Sequence, residues 1–330
     1  MENDLLLKVR DLEAVYSSDS GTVHAVNKIS FDLHEKETLG IVGETGAGKT
    51  TTALAIMGLL PERNSKVLAG NIFFQNSDLL KKNKTEMRFI RGELISMIFQ
   101  DPMTALNPVM IVGDQVLESL KIHQSGKMSP AEMDAKVDEL FRLVGISPGR
   151  KKEYPHQFSG GMKQRIVIAI ALACEPLLMI ADEPTTALDV TIQAQVLALM
   201  EDLKQKLNMS MILITHDLGI VAEVCDRVAI MYAGELVEQG SAKDFFESEF
   251  HHPYTQGLLG ALPDLNSQTR RLHPIPGLMA DPTKLPSGCK FHPRCPKAMQ
   301  ICSVKEPYKY EKDGHQVVCH LMSGMEGRKA

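Results

Sequence analysis

Residues Gly43-Glu44-Thr45-Gly46-Ala47-Gly48-Lys49-Thr50 fit the pattern G-x-x-x-x-G-K-[ST], between the apolar run Leu39-Gly40-Ile41-Val42 and the helical stretch Thr51 to Leu60. A strand, a glycine-rich loop and a helix in that order leave few folds open. Glycines let backbone N–H groups turn inward around phosphate oxygens, and the helix N-terminus adds positive potential at the same place. Lys49 can then bridge the outer phosphates of a nucleotide while the Thr50 hydroxyl ligates Mg²⁺, so Gly43 through Thr51 are the candidate phosphate contacts. The glycine order is not the G-x-G-x-x-G of a dinucleotide site.

The runs Leu177 to Ala181 and Met211 to Thr215 read, with Thr38 to Val42, as buried strands of a parallel sheet with helices between them. Leu5-Leu6-Leu7-Lys8-Val9 and Ile29-Ser30-Phe31-Asp32-Leu33 alternate instead, which predicts antiparallel strands with one solvated face. From about Asp101 to Tyr154 the period becomes helical, in Val116 to Ile122 and Ala131 to Val144, broken at Pro108, Pro130 and Pro148. We read a helical subdomain inserted over about residues 101–165. Arg227 to Tyr232, the turn Ala233-Gly234 and Glu235 to Gln239 predict a closing hairpin. Beyond His251-His252-Pro253 the apolar periodicity fades, placing a boundary near residue 250 between a nucleotide-binding domain (1–250) and an extension (251–330). The expected class is α/β.

A length of 330 residues, 44% of them hydrophobic, suffices for a substantial core. The net charge of −5 argues against an electrostatic grip on nucleic acid. The chain opens Met1-Glu2-Asn3-Asp4, acidic where a secretory peptide is basic, and its longest apolar run, Ile166 to Cys174, is too short to span a bilayer. We therefore expect a cytoplasmic protein that reaches a membrane only by docking on other subunits.

Asp182 ends the apolar strand Leu178-Met179-Ile180-Ala181, where a carboxylate needs a cation, and Mg²⁺ meets that need. Glu183 follows as the chain turns at Pro184 and is the candidate base for an attacking water. Gln100 and His216 each follow an apolar strand, at the end where parallel sheets deliver ligand contacts; alone, either reads as an ordinary loop residue. Ser159-Gly160-Gly161 opens the apolar helix Met162 to Ala173, as either a serine N-cap or an anion site.

In order, Phe158-Ser159-Gly160-Gly161-Met162, Leu178 to Glu183 and Ala187-Leu188-Asp189 resemble the signature, Walker B and D-loop of an ABC ATPase, over about residues 4–250. The resemblance implies a P-loop NTPase with an antiparallel β subdomain and an inserted helical subdomain, working as a dimer whose active sites are split between subunits. Gln100 then becomes the Q-loop residue, near water or Mg²⁺, and His216 the switch histidine on the γ-phosphate. Tyr16 matches the aromatic that stacks on adenine; its plain alternative is a strand-end core tyrosine. No N-K-x-D guanine motif is present, the nearest being Asn83-Lys84-Thr85-Glu86, so ATP is preferred. Ser159, Gly160, Gly161 and Asp189 are implied to reach across to the partner's nucleotide. Phe158 stands for a common leucine and Met162 for a common glutamine, and Ser-Gly-Gly-Met-x-Gln-Arg is similar to one ATPase subunit of dipeptide and oligopeptide permeases.

Cys289, Cys295, Cys302 and Cys319 crowd the tail with spacing C-x5-C-x6-C-x16-C, whereas Cys174 and Cys225 stand singly in apolar surroundings and read as core. Four thiolates suit Zn²⁺ or a [4Fe-4S] cluster, and the lack of C-x2-C knuckles weakens an ordinary zinc finger. With His252-Pro253-Tyr254-Thr255, the tail resembles the extension of peptide permease ATPases, some of which hold a [4Fe-4S] cluster there; we expect the cluster, with zinc as the alternative. The resemblance further implies a second, related ATPase chain or a second copy, two transmembrane permease subunits and, indirectly, an extracytoplasmic solute-binding protein. The expected function is import of dipeptides or oligopeptides from the cytoplasmic face of the membrane. Nickel or another small solute is an alternative cargo, and a soluble ABC ATPase on ribosomes or DNA is a rival of another class. That rival usually shows two cassettes or long coiled coils, absent here. A one-cluster electron-transfer module is a further rival, without a flavin or second cofactor motif to support it.

Overall fold

The computed structural model describes residues 4–19, 21–124, 126–186, 188–261, 275–324 and 328–329; Met1 to Asn3, Ser20 and Ala187, used in the sequence reading, lie outside the described residues. The chain runs β1 (Leu5–Ser18), β2 (Gly21–His34), β3 (Thr38–Val42), α1 (Lys49–Ile56), β4 (Ser65–Phe74), β5 (Ser77–Asp78), α2 (Lys84–Glu93), β6 (Ile95–Ile98), α3 (Pro102–Ala105), α4 (Val112–Gln124), α5 (Pro130–Leu143) and α6 (Gly160–Leu172). It continues through β7 (Leu178–Asp182), α7 (Val190–Leu207), β8 (Ser210–Thr215), α8 (Leu218–Val224), β9 (Arg227–Tyr232), β10 (Glu235–Ser241), α9 (Ala242–Glu247), α10 (Pro253–Leu259), β11 (Lys309–Lys312), β12 (His315–Val318) and β13 (Arg328–Lys329). Two compact units share these elements: one takes residues up to Leu33, Thr38–Leu80 and from Ile214 onward, the other His34–Glu37 and Lys81–Leu213.

In the first unit, β2-β1-β4-β5 form a four-stranded sheet, with β1 and β4 antiparallel from Leu7↔Phe74 to Tyr16↔Ser65. The alternation read from the sequence holds only in part: Leu7, Val9, Leu12 and Ala14 are fully buried along β1, but Leu6 is buried too and the register shifts between Arg10 and Glu13. A second sheet of this unit has the order β13-β11-β12-β10-β9-β3. Its inner pair β3 and β9 is parallel, and all five residues of β3 are buried, as expected of a strand covered on both faces. The predicted hairpin β9–β10 turns through Ala233 (φ 48°) and Gly234 (φ 82°), two left-handed residues that match the twist of the flanking strands. Strand β12 then pairs antiparallel with β10 at Glu238↔Val317, so the cysteine-rich tail extends the sheet that carries the glycine-rich loop. Each of β11 and β12 has only four residues, too few to show a period.

In the second unit β6 and β7 pair in parallel, and the helices around them begin with clear stop and start chemistry. Ser129 and Glu132 close a capping box at α5, with Pro130 in the first turn, and Asn83 with Glu86 does the same at α2. Helix α6 buries Ile166, Ile168, Ala169 and Leu172 completely, so the longest apolar run is a core helix. Among the described residues no helix is long and apolar enough to cross a membrane. Cys225 is buried as read, while Cys174 is only half-buried.

Candidate active site

The glycine-rich loop leaves β3 at Val42 and enters α1 at Lys49. A Cβ on Gly43 would stand 2.3 Å from the Met231 carbonyl oxygen, and one on Gly48, at φ 102°, would stand 2.2 Å from that of Ala25. Backbone therefore packs on backbone, and only glycine fits either place. Lys49, 6% exposed, donates from Nζ to the Gly43 and Glu44 carbonyls at 2.7 and 3.1 Å, holding its ammonium over the loop. The first turn of α1 carries no acidic residue, and the exposed Thr50 stands in it. Half-buried Tyr16 reaches the same helix, its hydroxyl donating to Thr51 Oγ1 at 3.4 Å. Loop residue Glu44 is held twice, its N–H donating to Tyr254 Oη at 2.9 Å and its carboxylate pairing with Arg294. His216 is exposed just beyond β8, before the Asp217 cap of α8.

The carboxylates lie in the second unit. Asp182 is 1% exposed at the end of β7. Glu183 then takes a left-handed φ of 46°, a conformation costing about 1–2 kcal/mol for a residue with a side chain, and such strain concentrates at functional sites. The register Ile98↔Ala181 between the parallel strands carries Gln100 alongside Glu183, and Gln100 Nε2 donates to Glu183 Oε2 at 3.0 Å. The same oxygen accepts from Thr186 Oγ1 at 3.1 Å, a contact the sequence reading missed, although Thr186 sits three residues on in the same turn.

Ser159 occupies the N-cap position of α6 with extended backbone, yet its side chain makes no capping bond. Its exposed hydroxyl and the free N–H groups of the first turn, which holds no acidic residue, remain available to an anion. A Cβ on Gly161 would meet Ile192 Cγ2 at 2.4 Å, so this glycine lets the start of α6 approach α7. Asp189 is a working N-cap of α7, its Oδ1 accepting from the Ile192 N–H at 3.0 Å.

In the tail, Cys302 and Cys319 are buried and Cys289 and Cys295 half-buried. The Met299 N–H donates to Cys302 Sγ at 3.5 Å, and the backbone N–H groups of Phe291, Lys297 and Leu321 partly offset the effect of burial on the Cys289, Cys295 and Cys319 thiols. Burial pushes the Cys289 thiol up to about 11 and that of Cys319 to about 12, and the neighbouring sulfurs add to both. Cys289, Cys295 and Cys319 thus hold their protons more firmly than free thiols, and a bound cation would displace them.

Glu238, His251 and His315 also bring ligand atoms within 4.8 Å of one another, the one such trio among the described residues. They bond to one another instead of facing a common point. Glu238 Oε1 accepts from His251 Nδ1 and His315 Nε2 at 2.7 and 2.8 Å, and Oε2 accepts from the His252 N–H at 2.7 Å. Burial alone would raise the Glu238 carboxyl, but hydrogen bonds from both imidazoles hold it below the usual range.

A strand, a phosphate loop with its lysine, and a buried Asp182 followed by a half-buried Glu183 at a strand end define the nucleotide-binding class of P-loop hydrolases. Residues 26–186 match the ABC transporter family, and residues 237–302 match the oligopeptide/dipeptide transporter C-terminal region. The dipeptide transport ATP-binding protein DppD of Bacillus subtilis is 53% identical over 96% of this chain and 94% of its own length. The oligopeptide transport ATP-binding protein OppD of Salmonella typhimurium is 47% identical over 96% and 93%. Among solved structures, the dimeric post-hydrolysis ATP-binding cassette MJ0796 bound to ADP and Pi superimposes with a TM-score of 0.64 at 25% identity, over 72% of this chain and 99% of that one. The chain belongs to the ATP-binding proteins of dipeptide and oligopeptide ABC transporters, and it is an ATPase.

Proposed function

We propose that this chain powers import of dipeptides or oligopeptides, docked on two transmembrane subunits at the cytoplasmic face of the membrane. The observation that carries the reading is the joining of an ABC cassette to the peptide-transporter C-terminal region in one chain, with similarity to DppD and OppD along both. Lys49 and the loop N–H groups hold the phosphates of ATP, Thr50, Gln100 and Asp182 address Mg²⁺, and Tyr16 stacks on adenine. Glu183, steadied by Gln100 and Thr186, takes the proton of the attacking water, and His216 donates to the γ-phosphate. The uncapped Ser159 hydroxyl, with Gly160 and Gly161, serves the nucleotide of a partner ATPase, as does the segment at Asp189. That partner is a related second chain, with a second copy as the alternative, and an extracytoplasmic binding protein supplies the solute.

On this reading the four cysteines hold a [4Fe-4S] cluster, with zinc as the alternative. Two thiolates on one Zn²⁺ at about 2.3 Å stand at most about 4.6 Å apart. No three of these sulfurs lie within 4.8 Å of one another, wider than three ligands of one Zn²⁺. Bound there, the group supplies a structural clamp. Iron and sulfide analysis with an optical spectrum of anaerobically purified protein tests this, and zinc without iron refutes it. The transport reading is tested in vesicles holding the chain with its membrane subunits and binding protein. ATP-dependent uptake of labelled dipeptides and oligopeptides is expected; uptake of nickel with none of peptide overturns it.

A further inference from the structure

Arg294 lies between two of the tail cysteines, in a short turn where its N–H donates to the Phe291 carbonyl at 3.0 Å. Its side chain is 5% exposed, and its guanidinium forks onto Glu44, Nη1 to Oε2 at 2.7 Å and Nη2 to Oε1 at 3.0 Å. Nε donates to the Pro276 carbonyl at 3.0 Å, and the Tyr232 and Phe291 ring centres lie 5.8 and 5.9 Å away. Tyr232, Tyr254 and Phe291 are each at most 1% exposed and pack with ring centres 4.8 to 5.4 Å apart, so the guanidinium is built into a rigid aromatic wedge.

Glu44 is the second residue of the glycine-rich loop, an awkward place for a carboxylate when a triphosphate arrives. Its backbone carbonyl also helps hold the Lys49 ammonium, at 3.1 Å. We propose that Arg294 is a positioning residue for ATP: it neutralises Glu44, fixes the start of the loop, and thereby ties nucleotide affinity to the cysteine-rich turn from which it springs. The pair is bidentate and charge-assisted, with Arg294 buried and Glu44 half-buried, and a bidentate fork is a geometry lysine does not reproduce. The inference rests on ATP binding to the loop and is independent of the transported solute and of the metal.

The test measures the dissociation constant of a non-hydrolysable ATP analogue by calorimetry, on the full chain, for wild type, Arg294→Ala, Arg294→Lys, Glu44→Gln and the double variant Arg294→Ala with Glu44→Gln. Metal content and circular dichroism are recorded on each. Arg294→Ala is expected to weaken binding about tenfold or more, and Arg294→Lys less, by analogy with other severed buried pairs. Adding Glu44→Gln to Arg294→Ala should recover part of the loss, because the unpaired carboxylate is gone. Wild-type affinity in Arg294→Ala overturns the proposal, and so does a loss that Glu44→Gln leaves unchanged. If Arg294→Ala fails to fold, Arg294→Lys carries the test, and wild-type affinity there overturns it. Failure of the wild-type chain to bind nucleotide would instead strike at the reading of the loop.

Discussion

His252 is the group by which acid should undo this fold. It is 1% exposed at the N-terminus of α10, where its Nδ1 accepts from the Tyr254 N–H at 3.0 Å, and burial lowers its pKa from 6.5 to about 4. The folded chain therefore keeps the imidazole neutral where the unfolded chain already protonates it. Stability from this group is complete above the unfolded value of 6.5 and is lost as pH falls toward about 4. At about 1.36 kcal/mol per pKa unit the loss by pH 4 is about 3 kcal/mol, a large share of an ordinary domain's stability. The Glu238 carboxyl, held low by His251 and His315, adds a loss below its ordinary value of 4.5. Denaturant midpoints measured between pH 7.5 and 4 should fall steeply below pH 6.5. His252→Asn retains a capping oxygen without a titrating ring, and should flatten that slope. An unaltered slope in His252→Asn would refute the argument, since no other change at the cap accounts for it.

Glu183→Gln should lower ATP turnover about 10²–10⁴-fold with ATP still bound, because the amide keeps the shape but cannot take a proton; single-turnover hydrolysis checks it, and wild-type turnover sinks the base assignment. Lys49→Ala should lose nucleotide affinity outright, read by equilibrium binding, since its ammonium is the positive charge already poised on the loop.

How far the sequence could be read depended on contact range. β3 and β9 were legible residue by residue, because each is a short apolar run between breakers. Gln100 and Glu183 were found singly, and the register that joins them is a consequence of sheet pairing that no local pattern displays. Ser159 kept both its readings until the structure showed its side chain making no cap. Glu238 lies in the hairpin arm Glu235 to Gln239 with no local sign of its role; it is 1% exposed and bonded to His251 and His315, the latter 77 positions away. The Arg294–Glu44 pair, 250 positions apart, lay beyond any window.

That last separation changes what the tail is. The MJ0796 cassette matches 72% of this chain while using 99% of its own, so an ABC fold closes without a further segment. Here the additional chain inserts Tyr254 and Phe291 beside Tyr232 at the tip of β9, next to the Met231 carbonyl on which Gly43 rests. Removing it would uncover the buried Tyr232 ring and leave the Glu44 carboxylate without its arginine, and both changes are unfavourable. The tail therefore belongs to the packing of the nucleotide site, and Cys295, one of its four cysteines, is the neighbour in sequence of the arginine that holds the loop.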